Sequence, residues 1–204
     1  MQDHEVINIL QNQLNFSIKS IEKLKIFTNN LISANKKHNF ISKSTETNIW
    51  HRHILDSAQL VKFIDFSKSS LSDLGSGAGL PGLVIAIFNE NKDFHVKLYE
   101  KSPVKRAFLM DISKKLAVNV EIYGNVYDYF IDTDYIVSRA FKKLDEIIQV
   151  SREIAKKSHK LIILKGQNAQ RDIEKAFKKE KYAYKLEQSI TNVDSKIILV
   201  DFKK

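Results

Sequence analysis

The residues of this chain that could carry chemistry are concentrated in positions 71–82, LSDLGSGAGLPG. An acid, Asp73, is followed by glycines at alternate positions, namely Gly75, Gly77 and Gly79. Glycine takes up positive φ without strain and lets a ligand approach the backbone closely. The pattern therefore predicts a strand, a tight ligand-binding turn and the start of a helix. We expect the Asp73 carboxylate to face the pocket, where it can accept hydrogen bonds from an amine or a hydroxyl.

Two nucleotide-like ligands compete for this turn. Gly77, Gly79 and Gly82 spell G-x-G-x-x-G, and Glu100 follows at about the twenty-residue distance expected for the ribose-binding acid of a dinucleotide site. That fingerprint should begin directly after the strand, whereas here an acid and another glycine come first. The order D-x-G-x-G-x-G, with a second acid ending the next strand, instead resembles the S-adenosylmethionine site of Rossmann-like methyltransferases. A glycine-rich structural turn without a ligand is the third interpretation.

The composition excludes several kinds of site. The chain has 204 residues and no cysteine, which rules out disulfides, thiolate nucleophiles and zinc held by cysteine. The six histidines are scattered, and His51 and His53 would point to opposite sides of a helix. No apolar run reaches about eighteen residues, and no secretory leader pattern opens the sequence. We expect a soluble, cytoplasmic monomer without a metal ion or a membrane partner.

The positive charge is unevenly distributed. Of the formal net charge of +9, residues 142–185 contribute +7, from 13 basic and 6 acidic side chains. A basic face of this kind is what a polyanion would meet, since lysine and arginine contacts to phosphate supply affinity that does not depend on sequence. Solvated lysines on helices of a lysine-rich chain explain the same count equally well.

Helical and strand patterns divide the chain into two parts. Residues 1–65 carry apolar residues at spacings of three and four, interrupted by the polar stretch HNFISKSTET, and are predicted to form an N-terminal helical extension. Residues 66–204 are predicted to form a Rossmann-like core in which strands and helices alternate. The fold class is therefore α/β, with a seven-stranded, mostly parallel sheet and an N-terminal helical layer.

The expected strands and helices can be placed individually. Strands are predicted at 70–74, 94–100, 120–123, 134–140, 160–166 and near 182–190 and 195–202, and helices at 81–90, 103–118, 142–157 and 168–180. The last two strands leave no room for a helix between them, so they should pair antiparallel. In such a sheet, ligands bind beyond the carboxyl ends of the strands. The polar residues that follow five of these strands should therefore share one rim.

Several motifs outside the glycine turn resemble one family. HNFIS, WHRHILDS, DLGSGAGLPG, KSPVKRAFL, VSRAF and LKGQ occur in this order and at these intervals. Together they closely resemble the small-subunit ribosomal RNA methyltransferase G family, also called glucose-inhibited division protein B, over residues from about 30 to 170. The resemblance implies a Rossmann-like class I S-adenosylmethionine-dependent methyltransferase. It also implies methylation of N7 of one guanosine in the decoding region of 16S ribosomal RNA, with the small ribosomal subunit as partner.

The resemblance assigns roles to individual residues. It places S-adenosylmethionine against the turn and assigns Glu100 to the ribose. The adenine edge would meet the backbone of Val126 and Tyr127, and Arg139 would reach into the site as its catalytic residue. The residues implied to contact the cofactor are Asp73, Gly75, Gly77, Gly79, Leu80, Glu100, Val126, Tyr127 and Arg139. Many relatives have an acid at Tyr127 and a proline at Ala78, which weakens only the side-chain assignment at Tyr127.

The residues predicted to contact the RNA are basic or chargeable groups near the carboxyl-end rim of the sheet. Arg52, His53 and Lys165 are predicted to contact the RNA, although Arg52, His53 and Asp56 could equally form a partly buried polar cluster. Arg139 has a similar alternative as a salt bridge at the end of its strand. Two other functions stay open at this point: a dinucleotide-binding oxidoreductase or sensor, and a non-catalytic RNA-binding assembly factor on a methyltransferase fold.

Overall fold

The computed structural model describes residues 1–67, 70–177 and 182–204. Its strands are β1 (Ser70–Leu74), β2 (His95–Tyr99), β3 (Val120–Tyr123), β4 (Tyr135–Arg139), β5 (His159–Lys165), β6 (Tyr184–Gln188) and β7 (Lys196–Phe202). Its helices are α1 (Asp3–Asn12), α2 (Ile18–His38), α3 (Lys43–Glu46), a π-helix (Trp50–Leu55), α4 (Asp56–Ala58), a 3₁₀-helix (Gln59–Phe63), α5 (Gly82–Phe88), α6 (Pro103–Leu116), a second 3₁₀-helix (Val126–Asp128), α7 (Leu144–Ile154) and α8 (Ala169–Phe177).

The seven strands form one sheet in the order β3-β2-β1-β4-β5-β7-β6. Strands β1 to β5 are parallel, whereas β7 runs antiparallel to both of its neighbours. The order reverses between β1 and β4, and such a switch point opens a crevice at the carboxyl ends of the strands. The predicted fold class is therefore confirmed, including the antiparallel pair at the end of the chain.

The sheet is apolar on both faces because helices cover both. Successive strand residues alternate between two cores: Leu71 packs with the first, whereas Leu74 packs with the second. The first core also contains the buried residues of α1, α2, α5 and α6, and the second contains those of α7 and α8. The N-terminal helices thus share one core with the sheet, while the boundary at residue 65 stays a prediction.

The structure refines several predicted element ends. The helix predicted at 81–90 ends at Phe88, and the one predicted at 142–157 spans only Leu144–Ile154. The end of the helix predicted at 168–180 lies partly outside the described residues. The predicted N-terminal helical pattern contains an additional break at residues 13–17, where Asn15 adopts a positive φ of 59°.

The polar stretch HNFISKSTET does interrupt the helices, and a buried asparagine organises it. Helix α2 ends at His38, and its C-cap residue Asn39 takes the left-handed conformation that asparagine tolerates. The side chain of Asn35 accepts a hydrogen bond from Ile41 N (2.8 Å) and donates one to Glu46 (2.7 Å). Because Asn35 is buried, these bonds hold the segment after α2 in one place, and that segment carries Phe40 and Ile41 to the rim of the sheet.

Candidate functional site

The glycine turn after β1 is fixed to the neighbouring strand by its backbone. The N–H groups of Gly75 and Ser76 donate to the carbonyl of Tyr99, at 2.9 and 3.0 Å. Gly75, Gly77 and Gly79 all have positive φ, which explains why glycine recurs there. A Cβ at Gly75 would lie 2.3 Å from the ring of Phe141, whereas one at Gly77 would meet nothing nearer than a carbonyl at 3.9 Å. Gly77 therefore presents bare backbone to open space.

That open space is a cavity of about 580 Å³, called here the first cavity. It lies at the carboxyl ends of β1, β2 and β4, and the 3₁₀-helix that follows β3 forms part of its wall. It is lined by Phe40, Ile41, Gly75, Ser76, Gly77, Ala78, Leu80, Tyr99, Glu100, Lys101, Lys105, Asn125, Val126, Tyr127, Arg139, Ala140, Phe141 and Lys142. A cavity of this volume, with an acid, exposed backbone and aromatic walls, suits a nucleoside-sized ligand.

Glu100 lies at the end of β2 and joins the turn to the first cavity. Its Oε2 accepts a hydrogen bond from Gly77 N (2.9 Å), and its Oε1 accepts one from Ser102 N (2.7 Å). The residue is 7% exposed, so these two bonds set the plane of the carboxylate. A carboxylate has about four acceptor positions, which leaves capacity for a pair of ligand hydroxyls.

Asp73 does not face the first cavity, which corrects the expectation from the sequence. The side chain is completely buried, and its Oδ2 accepts a hydrogen bond from Gly82 N (2.9 Å) at the start of α5. Its Oδ1 is buried without a hydrogen-bond partner. Burial raises the pKa of Asp73 to about 7, although the Gly82 N–H opposes this shift. The carboxyl group therefore ties the turn to the following helix and does not line the first cavity.

A second cavity, of about 340 Å³, adjoins the first. It is lined by Thr45, Arg52, His53, Asp56, Arg139, Ala140, Leu164, Lys165, Gly166, Thr191 and Ser195. Arg139 and Ala140 line both cavities, so the end of β4 is the wall between them. This second cavity combines residues from the N-terminal helical layer, from β5 and from the turn between β6 and β7.

Arg139 is held from the side of the second cavity. Its Nη1 donates to Asp56 Oδ2 (3.3 Å) and to the backbone oxygen of Arg52 (3.2 Å), and its Nη2 lies 2.9 Å from His53 Nδ1. The Arg139 side chain is 17% exposed. Burial lowers the pKa of Arg139, and the adjacent Asp56 opposes that change. The guanidinium is thus a fixed cation with three protein partners at the junction of the two cavities.

His53 is neutral, and its tautomer follows from its partners. Burial, together with the charges of Arg139 and Arg52, lowers the pKa of His53 to about 3. Because a guanidinium only donates, His53 Nδ1 must accept from Arg139. The ring proton then resides on Nε2, which donates to Thr45 Oγ1 at 2.8 Å. A histidine held in this way orients Arg139 and does not serve as a base.

Asp56 is oriented by the turn between β6 and β7. Its Oδ1 accepts from Gln59 Nε2 (3.1 Å) and from Thr191 Oγ1 (2.9 Å). Gln59, which is buried, also bonds Ser189 Oγ and accepts from the N–H of Ile190. The last hairpin of the chain is therefore joined to the N-terminal layer by a buried polar network.

The comparisons with known proteins agree with this geometry. The sequence pattern described as rRNA small subunit methyltransferase G matches residues 20–199. The chain belongs to that family. It is 34% identical to the ribosomal RNA small subunit methyltransferase G of Pelagibacter ubique over 96% of this chain and 93% of that protein. It is 38% identical to the protein of the same name from Rickettsia rickettsii over 88% of this chain and 93% of that one.

A solved structure supports the fold independently. A SAM dependent methyltransferase from Aquifex aeolicus superposes with a TM-score of 0.60 at 11% identity, over 78% of this chain and 94% of that chain. Membership of the methyltransferase G family decides between the two interpretations of the glycine turn, in favour of a methyltransferase over a dinucleotide-binding oxidoreductase.

Most predicted site residues of this family member lie at one of the two cavities. Gly75, Gly77, Leu80, Glu100, Val126, Tyr127 and Arg139 line the first cavity, and Arg52, His53 and Lys165 join Arg139 at the second. Asp73 and Gly79 line neither. A Cβ at Gly79 would lie 2.8 Å from Leu83, so this glycine serves packing. The individual roles of these residues stay predictions.

Other cavity residues were not singled out by sequence reasoning. Phe40 and Lys105 belong to the quoted motifs HNFIS and KSPVKRAFL, so those motifs were the available signal. Thr191 and Ser195 lie at the predicted antiparallel pair near the end of the chain, to which the sequence assigned strands but no functional role, and no local pattern marks them as site residues. Within residues 1–67, 70–177 and 182–204, no cluster of acidic and histidine side chains could hold a metal ion, and no helix is long and apolar enough to cross a bilayer.

Proposed function

We propose that this chain transfers a methyl group from S-adenosylmethionine to N7 of one guanosine in the decoding region of 16S ribosomal RNA. The observation that carries the proposal is family membership across residues 20–199, combined with two cavities that meet at Arg139 and Ala140. One cavity would hold the methyl donor and the other the base that accepts the methyl group. We further propose that the protein acts as a cytoplasmic monomer on the small ribosomal subunit.

The first cavity has the features that S-adenosylmethionine requires. Gly77 offers space that a Cβ would fill, which suits the methionine portion of the donor. Glu100 offers its remaining acceptor positions to the two ribose hydroxyls. In the 3₁₀-helix that begins at Val126, the N–H of Asp128 donates to the carbonyl of Asn125 (3.0 Å), whereas the N–H groups of Val126 and Tyr127 come before the first bond of the turn and suit an adenine edge. When bound, the donor supplies an electrophilic methyl group on a sulfonium centre.

The reaction needs no side chain that takes up a proton. Guanine N7 carries a free lone pair at neutral pH, so the N7–carbon bond can form without prior deprotonation while the carbon–sulfur bond breaks and its electron pair stays on the departing thioether sulfur. This agrees with a site in which His53 is neutral and fully occupied by hydrogen bonds. The main task of the protein is then to orient the two reactants, which can lower a barrier by about 7–11 kcal/mol. Arg139, at the junction, is suited to hold guanine O6 or a flanking phosphate.

The surroundings of the second cavity suit RNA. Arg52 is exposed at its rim, and Lys165 lies in its wall with Nζ 2.6 Å from Asp172. Of the basic stretch 142–185, Lys142 lines the first cavity and Lys165 the second, whereas Lys157 pairs with acids that precede β4; residues 178–181 lie outside the described structure. A base that is to be methylated inside a cavity must first leave its stack, which costs a few kcal/mol, and phosphate contacts by these cations would offset part of that cost.

Transfer to unmodified small subunits tests the proposal directly. Purified protein is incubated with 30S particles that lack the modification and with methyl-labelled donor, and the labelled nucleotide is mapped. We expect one 7-methylguanosine in the decoding region. Arg139→Ala should retain donor affinity in calorimetry and lose transfer. Affinity for 30S particles without any transfer by the unmodified protein would instead identify a non-catalytic assembly factor.

A further inference from the structure

Asp56 is the one acid among the described residues that line the second cavity. The other charged or chargeable groups there are Arg52, His53, Arg139 and Lys165, which are bases. The Asp56 side chain is 19% exposed, so its carboxylate is accessible from the cavity. The carboxylate pairs with Arg139, but its negative charge also repels the RNA backbone, so attraction of phosphate alone does not explain an acid that is accessible from this cavity.

The carboxylate is held in one orientation from three directions. Thr191 Oγ1 and Gln59 Nε2 donate to Oδ1, at 2.9 and 3.1 Å, and Arg139 Nη1 donates to Oδ2 at 3.3 Å. These bonds occupy three of the about four acceptor positions of a carboxylate and leave one position free, on Oδ2. An acceptor fixed in this way loses little conformational entropy when a ligand binds.

Guanine carries the groups that match such an acceptor. The Watson–Crick edge of the base, which adjoins the edge that carries N7 and O6, bears two adjacent donors, the N1–H and the exocyclic N2 amino group. Adenine presents an unprotonated N1 at the same place, and its lone pair would be repelled by a carboxylate. If N7 points through the junction at Arg139 and Ala140 toward the first cavity, the N2 amino group points away from it, into the second cavity.

We infer that Asp56 selects guanine as the acceptor base by accepting a hydrogen bond from its N2 amino group at the free position of Oδ2. The inference rests on the proposed function and deepens it, because it names the group that distinguishes guanine from other purines. A base that has left its stack is commonly recognised through hydrogen bonds to this edge. Gln59 and Thr191 are positioning residues in this arrangement, since they act on the base only through Asp56.

Inosine provides the decisive probe, because it keeps O6, N1–H and N7 and lacks only the N2 amino group. Small subunits are reconstituted from 16S ribosomal RNA carrying either guanosine or inosine at the methylated position, and kcat/KM for methyl transfer is measured on both. With the unmodified protein we expect guanosine to be preferred by about 10- to 100-fold, as loss of one hydrogen bond to a charged group implies. In Asp56→Ala the preference should fall to about one, and in Asp56→Asn it should fall at least several-fold.

The controls separate this inference from a general loss of activity. Asp111→Asn changes an exposed acid on α6 and should keep the full preference for guanosine. Asp56 does not line the first cavity, so calorimetric affinity for S-adenosylmethionine should be retained in Asp56→Ala and in Asp56→Asn. Equal transfer to guanosine and inosine by the unmodified protein, or an unchanged preference in a folded Asp56 variant, would overturn the inference alone. No transfer to guanosine by the unmodified protein would overturn the proposed function together with it.

Discussion

The backbone N–H of Gly77 donates a hydrogen bond of 2.9 Å to Oε2 of Glu100. This bond joins the turn after β1 to the end of β2, so the two parts of the protein proposed to contact the methyl donor are oriented by each other. The second oxygen of Glu100 is held in the same way by the N–H of Ser102. Changing Glu100 must therefore affect the ligand contact and the shape of the turn together.

Glu100→Gln is expected to weaken S-adenosylmethionine binding by about 10- to 100-fold. The amide would place an N–H group against one of two backbone N–H donors, and the charge-assisted bonds would be lost. Isothermal titration calorimetry measures the dissociation constant, with Glu90→Gln, an exposed position in the loop after α5, as the matched control. An unchanged affinity in Glu100→Gln would remove Glu100 from the proposed donor site.

Two glycine variants separate ligand binding from folding. Gly77→Ala should fold with a loss of stability of about 1 kcal/mol from its left-handed backbone, because its Cβ meets no protein atom nearer than 3.9 Å. That Cβ would project into the first cavity, so donor binding should be abolished. In Gly82→Ala the Cβ would lie 2.4 Å from Leu98 and 2.7 Å from Asp73, and we expect a loss of stability of about 3 kcal/mol.

Thermal and denaturant unfolding, followed by calorimetry of the folded variants, checks this pair. The two variants should show opposite outcomes. Gly77→Ala should remain folded but not bind the donor, whereas Gly82→Ala should be unstable, and the fraction that is folded should still bind the donor. Normal donor affinity in Gly77→Ala would show that the turn does not contact the ligand.

The pKa of Asp73 makes stability depend on pH in an unusual direction for a carboxylate. Burial raises the pKa of Asp73 in the folded protein to about 7, above its ordinary value of 3.8. Between these two values the folded state holds a proton that the unfolded state releases, so the contribution of Asp73 to the free energy of unfolding falls as the pH rises from about 4 to 7. Asp73→Asn cannot titrate and should lose this part of the pH dependence.

Denaturant unfolding at several pH values between 4 and 8 measures the effect, and it is the difference between the unmodified protein and Asp73→Asn that isolates this residue. Asp111→Asn, at an exposed position, should follow the unmodified protein throughout. Parallel curves for the unmodified protein and Asp73→Asn would show that Asp73 is ionised in the folded state across this range.

Thr191 should affect turnover without affecting the donor. Thr191→Val keeps the side-chain volume and removes the hydroxyl that donates to Asp56 Oδ1. Because Asp56 in turn holds Arg139, we expect kcat to fall about 3- to 10-fold, the cost of one hydrogen bond, with KM for S-adenosylmethionine unchanged. Thr191→Ser restores the hydroxyl and should recover most of the rate. A valine variant and a serine variant with equal rates would assign Thr191 to packing alone.

The sequence predicted the elements of the sheet more completely than the direction of individual side chains. All seven strands were placed, because a strand buried between helical layers is marked by its own apolar residues and by the turns that bound it. The orientation of Asp73 could not be predicted, since it depends on where the N–H of Gly82 lies after the turn. The glycine motif therefore predicted an acid at position 73, but not that its carboxyl group would bond the N–H of Gly82.

Only some of the residues that line the second cavity were predicted from the sequence. Arg52, His53 and Lys165 were selected from motifs, but their meeting with Thr191 required the three-dimensional fold. The bond between Gln59 and Ser189 joins residues that are 130 positions apart, and no local pattern reports such a contact. Long-range polar networks of this kind are determined by how the layers pack.

The buried link between the N-terminal layer and the last hairpin also means that the second cavity depends on residues synthesised late. Every residue that lines the first cavity has been synthesised once Lys142 has been added. The second cavity also needs Thr191 and Ser195. A nascent chain therefore contains all groups of the cavity proposed for the donor well before those of the cavity proposed for the acceptor base. The hydroxyl that orients Asp56 is added among the last residues, with the hairpin of β6 and β7.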